Sequence, residues 1–193
     1  MPHPRIPRRA AIPAAGLIAI ATALTGVAGC GRSDNSSKGT SQPPAVASTA
    51  NFGGTDLAWI EITIAMDEQA EPLLALAPRQ SKDAKTQALV QQVQAFTGAE
   101  LTKLRALHDE AGLPAQNPHE GMPMPGLVTA DTVQKASALS GPAFDKLLRE
   151  QIGAHLKQGQ NLAASEEKAG TDERTRELAS DVIHTRTEAL KSL

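Results

Sequence analysis

The sequence predicts an all-α protein, a bundle of four long helices arranged as two hairpins. From Asp56 onward, apolar residues recur at the three- and four-residue spacing of amphipathic helices, with almost no strand-like alternation. The two halves of this region also match each other at a nearly constant offset, and a loop at residues 113–128 lies between them. Together these observations predict one helical hairpin that occurs twice, joined by a long crossover loop.

The apolar spacing and the capping residues define five helical segments. In chain order they cover about residues 55–77, 81–112, 129–139, 142–169 and 172–192. Pro72 is expected to kink the first segment, and Ser81 is expected to cap the second, which Gly112 ends. Pro142 opens the third long helix, because proline suits the first turn of a helix.

The internal repeat rests on identical residues at equivalent positions. At an offset of 89, six positions match between residues 56–75 and 145–164. The second helix of each half carries the frame Thr-x-x-Glu-x-x-Lys, as Thr97, Glu100 and Lys103 and again as Thr185, Glu188 and Lys191. Chance similarity between two alanine-rich helices is the alternative, and the matches favour duplication.

Residues 1–29 have the layout of a secretion signal. Three arginines precede an alanine-rich apolar run, and no acidic residue occurs in this segment. The run ends in Val-Ala-Gly before Cys30, which resembles the lipobox of bacterial lipoproteins, whose cysteine is lipidated and becomes the mature N-terminus. An uncleaved anchor helix is the alternative, but its proline and glycines would weaken such a helix. We therefore expect a lipid anchor at Cys30 that holds the protein at the extracytoplasmic face of the cell membrane.

The rest of the chain divides into a tether and a domain. Residues 30–55 are rich in Ser, Gly, Thr and Pro and contain few large apolar residues, which is typical of a flexible linker. Residues 56–193 form the predicted helical domain. Without the leader, 16 basic side chains face 21 acidic ones, and aromatic residues make up only 2% of the chain. Nucleic acid is therefore not an expected partner.

Three segments of the domain resemble a known protein family. They are residues 64–70, 121–127 and 144–155, and the similarity extends over nearly everything after Asp56. The family is the bacterial domain of unknown function 305, a ferritin-like group of exported proteins, of which some are associated with copper handling. The resemblance implies a ferritin-like bundle with a His-His pair on the first helix of each repeat. It also implies a Gln-x-x-Glu motif on each second helix and a Met- and Gly-rich loop between the repeats.

This sequence departs from the family pattern where metal ligands are implied. Met66-Asp67 and His155-Leu156 stand in place of the two His-His pairs. The second motif keeps its glutamates but has threonines instead of glutamines. This leaves four candidates for polar residues that face inward: Thr97, Glu100, Thr185 and Glu188.

Two sets of residues remain as candidates for binding a soft metal such as copper, because imidazole and thioether groups suit that ion. The helical set consists of Met66, Asp67 and His155, and the loop set consists of His119, Met122 and Met124. The alternatives are structural. Met66 would fill a gap in the core, His155 would form a hydrogen bond within the bundle, and the loop would cover one end of the bundle.

No enzyme activity is expected. A di-iron site in such a bundle needs two Glu-x-x-His motifs, and the nearest frame, Asp181-x-x-His184, occurs once. The single cysteine excludes an intramolecular disulfide, and no nucleophile elbow or phosphate-binding loop is present. Two functions remain. One is a membrane-anchored binding or scaffold domain for a small ligand or another envelope protein, and the other is a copper-binding or buffering protein.

Overall fold

The computed structural model describes residues 51–193, and this part of the chain is all-α, as predicted. Its helices are α1 (Gly54–Leu74), α2 (Ala77–Gln80), α3 (Ala84–Glu110), α4 (Ala130–Ser137), α5 (Pro142–Ala169) and α6 (Glu173–Leu190). No helix among these residues is long and apolar enough to cross a membrane. The predicted signal peptide, Cys30 and most of the tether lie outside the described residues.

The four long helices pack as a closed ring of neighbours. Helix α1 packs against α3 and α5, and α6 packs against α5 and α3. The short helix α4 lies against α1 and α5. This packing agrees with the four long helices expected from the sequence, whereas the ferritin-like class and the repeated hairpin stay predictions.

The apolar interior consists of two separate clusters. One contains residues from all four long helices and includes Leu73, Leu89, Val93, Phe144, Leu148 and Ile152. The other includes Trp59, Ile60, Leu101, Leu104, Leu178 and Val182. Burial of side chains of this size stabilises a fold by roughly 1.5–3 kcal/mol each. The two clusters therefore supply the main hydrophobic contribution to stability.

The cap of the second predicted helix and the end of the first differ from the prediction. Ser81 does not cap α3, because Asp83 takes that place and accepts a hydrogen bond from the Thr86 N–H at 2.8 Å. Ser81 instead ends α2, a short turn that separates α1 from α3. Pro72 lies in the last turn of α1, and the helix ends two residues later at Leu74.

The crossover loop between α3 and α4 is fixed against two helices. Asn117 Nδ2 donates to the backbone carbonyl of Glu61 on α1 at 2.7 Å. Gly126 lies against α5, where a Cβ atom would come within 2.6 Å of the Ala154 carbonyl oxygen, and its φ of +76° also favours glycine. The Met- and Pro-containing segment is thus held beside α1 and α5.

Asp56 ties the start of α1 to the turn between α5 and α6. Its carboxylate accepts hydrogen bonds from the backbone N–H groups of Gly53, Thr171 and Asp172. The Thr175 hydroxyl donates to it as well, and the Thr171 hydroxyl shares its one hydrogen between Asp56 and the Asn51 carbonyl. Burial alone would raise the pKa of Asp56, but these hydrogen bonds hold the pKa well below its usual range.

The Thr175 hydroxyl stands between two carboxyl groups. Its oxygen lies 2.6 Å from Asp56 Oδ1 and 2.6 Å from Glu166 Oε1. One hydroxyl has only one hydrogen to donate, so both contacts are favourable only if one carboxyl group is protonated and donates to Thr175. Burial raises the pKa of Glu166 to about 7, and the nearby charges of Asp56 and Asp172 reinforce the shift. Glu166 is therefore the group that carries the proton.

The free energy of unfolding should fall as the pH rises from 4.5 to about 7. Folded Glu166, with a pKa of about 7, keeps a proton that the unfolded chain releases at 4.5. The contribution of this proton to the free energy of unfolding is therefore complete below pH 4.5 and is lost as the pH rises through about 7. Glu166→Gln should remove that contribution, which is at most about 1.4 kcal/mol per pH unit. Urea unfolding at several pH values, followed by the fluorescence of Trp59, measures the slope.

Trp59 suits this measurement because it is the single tryptophan and is buried in one of the two clusters. The matched control is Glu167→Gln, since Glu167 is the exposed neighbour of Glu166 on the same helix. A Glu166→Gln variant that keeps the wild-type slope would show that no proton is shared at this turn.

Candidate functional site

A cluster of titratable side chains lies in the interior, and each long helix contributes one member. The four are Asp67 from α1, Glu100 from α3, His155 from α5 and Arg186 from α6, and none is more than 5% exposed. Along α1, α3 and α6 these residues fall between the segments that form the two apolar clusters, and on α5 His155 directly precedes Leu156 of one cluster. The cluster is therefore a polar layer inside the hydrophobic core, and buried charges of this kind require partners.

Arg186 joins the two acidic members. Its Nη1 lies 2.8 Å from Glu100 Oε2 and 3.1 Å from Glu100 Oε1, and its Nη2 lies 3.1 Å from Asp67 Oδ1. The guanidinium carbon is 5.9 Å from the centre of the Phe96 ring, within cation–π distance. Gly159 on α5 leaves room for this side chain, because a Cβ atom there would collide with Arg186 Nε.

His155 is the fourth member of the cluster, and its ring forms no hydrogen bond with the others. Its Nε2 lies 3.3 Å from Asp67 Oδ1, but neither ring nitrogen has a hydrogen-bond partner among the described residues. Asp67 Oδ2 and Arg186 Nε also have no such partner within residues 51–193. Buried polar atoms are rarely left in this state, so four of them in one cluster mark it as unusual.

The balance of charge in the cluster depends on Glu100. Burial raises the pKa of Glu100 to about 8, and the negative charge of Asp67 adds to the shift while Arg186 opposes it. Burial disfavours the charge on Arg186, but Asp67 and Glu100 together raise its pKa above the ordinary value. The guanidinium is therefore permanently charged, and a proton taken up by Glu100 would leave Asp67 and Arg186 as a neutral pair.

Among the helical candidates, the structure brings together Asp67, Glu100 and His155. In the Met66-Asp67 pair, Asp67 contacts His155 and Met66 is buried. Thr97 is also buried, one turn before Glu100, and its hydroxyl has no partner among the described residues.

Two candidates of the second repeat lie elsewhere. Thr185 is half-buried and donates to the Val182 carbonyl of its own helix at 3.1 Å. Glu188 is exposed and accepts a hydrogen bond from Lys191 at 2.6 Å. The expectation that Glu188 faces inward like Glu100 is wrong, because Arg186 and Ala189 occupy the buried face of this turn.

Arg186 is the residue that the sequence prediction missed. Its bonding partners are 86 and 119 residues away in the chain, so no local motif contains them. A signal was nevertheless present: Val182, Arg186 and Ala189 are spaced four and three residues apart, which places the arginine on the apolar face of α6.

The residues of the loop set have different environments. His119 Nε2 lies 3.6 Å from Glu61 Oε2 of α1, and its ring is mostly buried. Met122 is 44% exposed, and Met124 is half-buried.

The buried cluster does not fit a metal ion. Within residues 51–193, no group of three or more His, Cys, Asp or Glu side chains is arranged to hold one. In the cluster, Arg186 stands between Asp67 and Glu100 and bonds to both. A metal ion at this place would meet a fixed positive charge.

A cavity of about 400 Å³ lies on the outer side of α1, beside the crossover loop and α4. Its apolar lining includes Val128 and Val133, and its polar lining consists of Glu68, Gln69, Asn117 and Glu120. The amides of Gln69 and Asn117 already donate to backbone carbonyls of α1. No basic side chain lines the cavity. Its polar groups therefore present mainly oxygen acceptors.

The chain matches one family model and is similar to solved structures. The family model described as a domain of unknown function (DUF305) matches residues 56–193. One similar solved structure is described as a "putative secreted protein DUF305 from Streptomyces coelicolor". It has 16% identity and a TM-score of 0.64, over 71% of this chain and 88% of that one. Another is a DUF305 fragment from Deinococcus radiodurans, with 14% identity and a TM-score of 0.65, over 73% of this chain and 93% of that one.

At these identities the two structures show a shared fold and nothing about ligands. No curated protein matches the chain. The family model, however, covers residues 56–193, which is all but the first two residues of the helical region and well over half of the sequence. The chain therefore belongs to the DUF305 family.

Proposed function

We propose that this protein is a lipid-anchored protein of the cell envelope whose helical domain binds a small ligand, without catalysis. The predicted lipobox at Cys30 supports the anchor, and the Streptomyces neighbour is described as a "putative secreted protein", which agrees with a place outside the cytoplasm. The observation that carries the binding role is the cavity between α1, the crossover loop and α4.

The chemistry of this cavity defines the class of ligand. A volume of about 400 Å³ is within the usual range for small-molecule sites. Glu68 and Glu120 contribute negative charge to the cavity. The charge of Glu68 is partly balanced by Arg105, whose Nη2 donates to Glu68 Oε1 at 2.7 Å. Val128 and Val133 provide an apolar wall. A ligand with a cationic group and a short apolar body would complement both features.

The absence of a catalytic role is also a proposal. The buried acids whose pKa values are raised by burial are bonded to other parts of the chain, Glu100 to Arg186 and Glu166 to Thr175. These bonds give both acids a role in the structure of the helical domain, and neither acid lines the cavity.

The cavity should bind octyltrimethylammonium and reject octyl sulfate. We expect Glu120→Gln to weaken binding of the cationic probe about five- to tenfold, because it removes a charge from the lining. Isothermal titration of the mature chain carrying Cys30→Ser measures both affinities in solution. The matched control is Glu71→Gln, an exposed glutamate on α1 that does not line the cavity. Equal affinity for the two probes, or equal effects of the two variants, would contradict the proposed ligand class.

Cys30 should carry the lipid. Cells expressing the full chain and fed an alkyne-labelled palmitate are expected to label the protein, which should fractionate with membranes. Cys30→Ser should lose the label and appear in the soluble envelope fraction. Because Cys30 is the single cysteine, no other thiol can accept the lipid. Membrane association that survives Cys30→Ser would rule out the anchor.

A second function, copper binding by the loop, is favoured by one observation. Met122 is 44% exposed, which is unusual for a large apolar residue on this surface, and His119 lies three residues before it. Thioether and imidazole groups together suit Cu(I).

Competition for Cu(I) with a chelator tests this second function. A loop site should lose at least about tenfold in affinity in the triple variant His119→Ala, Met122→Ala, Met124→Ala. Met66→Leu is the control, since Met66 is buried away from solvent and should leave the affinity unchanged. Identical affinities for the wild type and the triple variant would remove the loop from consideration.

A further inference from the structure

We infer that Arg186 takes the place of a metal ion in the buried cluster, so that Asp67, Glu100 and His155 form a ligand set whose cation is supplied by the chain itself. This inference is independent of the proposed ligand cavity, which lies on the outer side of α1.

The arrangement of donors supports this inference first. Two carboxylates and one imidazole converge on the same interior region from three different helices, and these are groups that bind divalent metals. The guanidinium bonds to both carboxylates at 2.8 to 3.1 Å. It therefore makes the contacts to the acids that a bound cation would otherwise make.

The shape of the surrounding core is adapted to an arginine. Gly159 lies in the middle of α5, where glycine is less favourable than alanine. Any larger residue there would collide with Arg186 Nε. The face of Phe96 covers the guanidinium from another side. Gly159 and Phe96 thus leave room for a long, flat cation at this level of the helices.

Arg186 does not bond to every polar atom of the ligand set. Both ring nitrogens of His155 and the Oδ2 of Asp67 are fully buried and have no hydrogen-bond partner within residues 51–193. In a metal site such atoms would be ligands or would orient ligands. Glu100 also borders a groove of about 150 Å³ between α3 and α6, which offers a path from solvent.

Removing the arginine should therefore create a metal site. We expect Arg186→Ala in the full chain to bind one Zn²⁺ at least about tenfold more tightly than the wild type. Saturating Zn²⁺ should raise the melting temperature of this variant by about 5 °C or more. Isothermal titration and thermal unfolding, followed by circular dichroism, measure the two effects. Arg186→Ala combined with Asp67→Asn should lose both.

Two controls separate the cluster from other zinc ligands. Arg176→Ala removes an exposed arginine from the same helix and should bind Zn²⁺ as the wild type does. The wild type itself should show no Zn²⁺ binding that depends on Asp67. One Zn²⁺ bound by the wild type and lost in Asp67→Asn would overturn the inference, and so would a folded Arg186→Ala that gains no binding.

If Arg186→Ala does not fold in the absence of metal, the helical signal becomes the readout. Added Zn²⁺ should then restore it, as should methylguanidinium, which replaces the missing group, whereas methylammonium should not. Failure of both Zn²⁺ and methylguanidinium to restore the helices would also overturn the inference.

Discussion

The bonds from Arg186 to Asp67 and Glu100 are the constraint on which the arrangement of the helices depends. They connect α6 to α1 and α3, and His155 adds α5 to the same layer. Loss of one partner of a buried ion pair costs about 3–5 kcal/mol, because the other charge stays buried without compensation. Apolar side chains tolerate small shifts of one helix along another, whereas these bonds do not. We therefore regard the polar layer as the feature that fixes the register of the four helices.

A second polar group acts at one end of the same helices. Asp56, Thr175 and Glu166 share hydrogen bonds that hold the beginning of α1 to the turn between α5 and α6. The two apolar clusters lie along the helices on either side of the Arg186 layer. The domain thus combines hydrophobic burial, which supplies most of the stability, with two polar groups that select one arrangement. Both polar groups include a carboxyl group whose pKa is raised by burial, to about 8 for Glu100 and about 7 for Glu166.

Local sequence patterns were sufficient for the helices but not for the polar layer. The bounds of α5 match the prediction, because Pro142 and Gly170 are strong local signals at its two ends. The start of α3 differs, because Asp83 competes with Ser81 as a cap and a short turn intervenes. Asp67, Glu100 and His155 were found through family motifs. Their partner Arg186 was not, since a charged residue in a helix usually faces solvent and its bonds span most of the domain.

The connection at Asn51 has a mechanical consequence. The Thr171 hydroxyl donates to the Asn51 carbonyl at 2.7 Å, the Phe52 ring lies 5.4 Å from the guanidinium of Arg174, and the Gly53 N–H donates to Asp56 at 2.6 Å. Tension that reaches the domain along the chain ahead of Asn51 is therefore applied to several contacts at once. Through these contacts, part of the force acts on α5 and α6 before α1 can separate from its neighbours. The point at which the chain enters the domain therefore acts as a clamp.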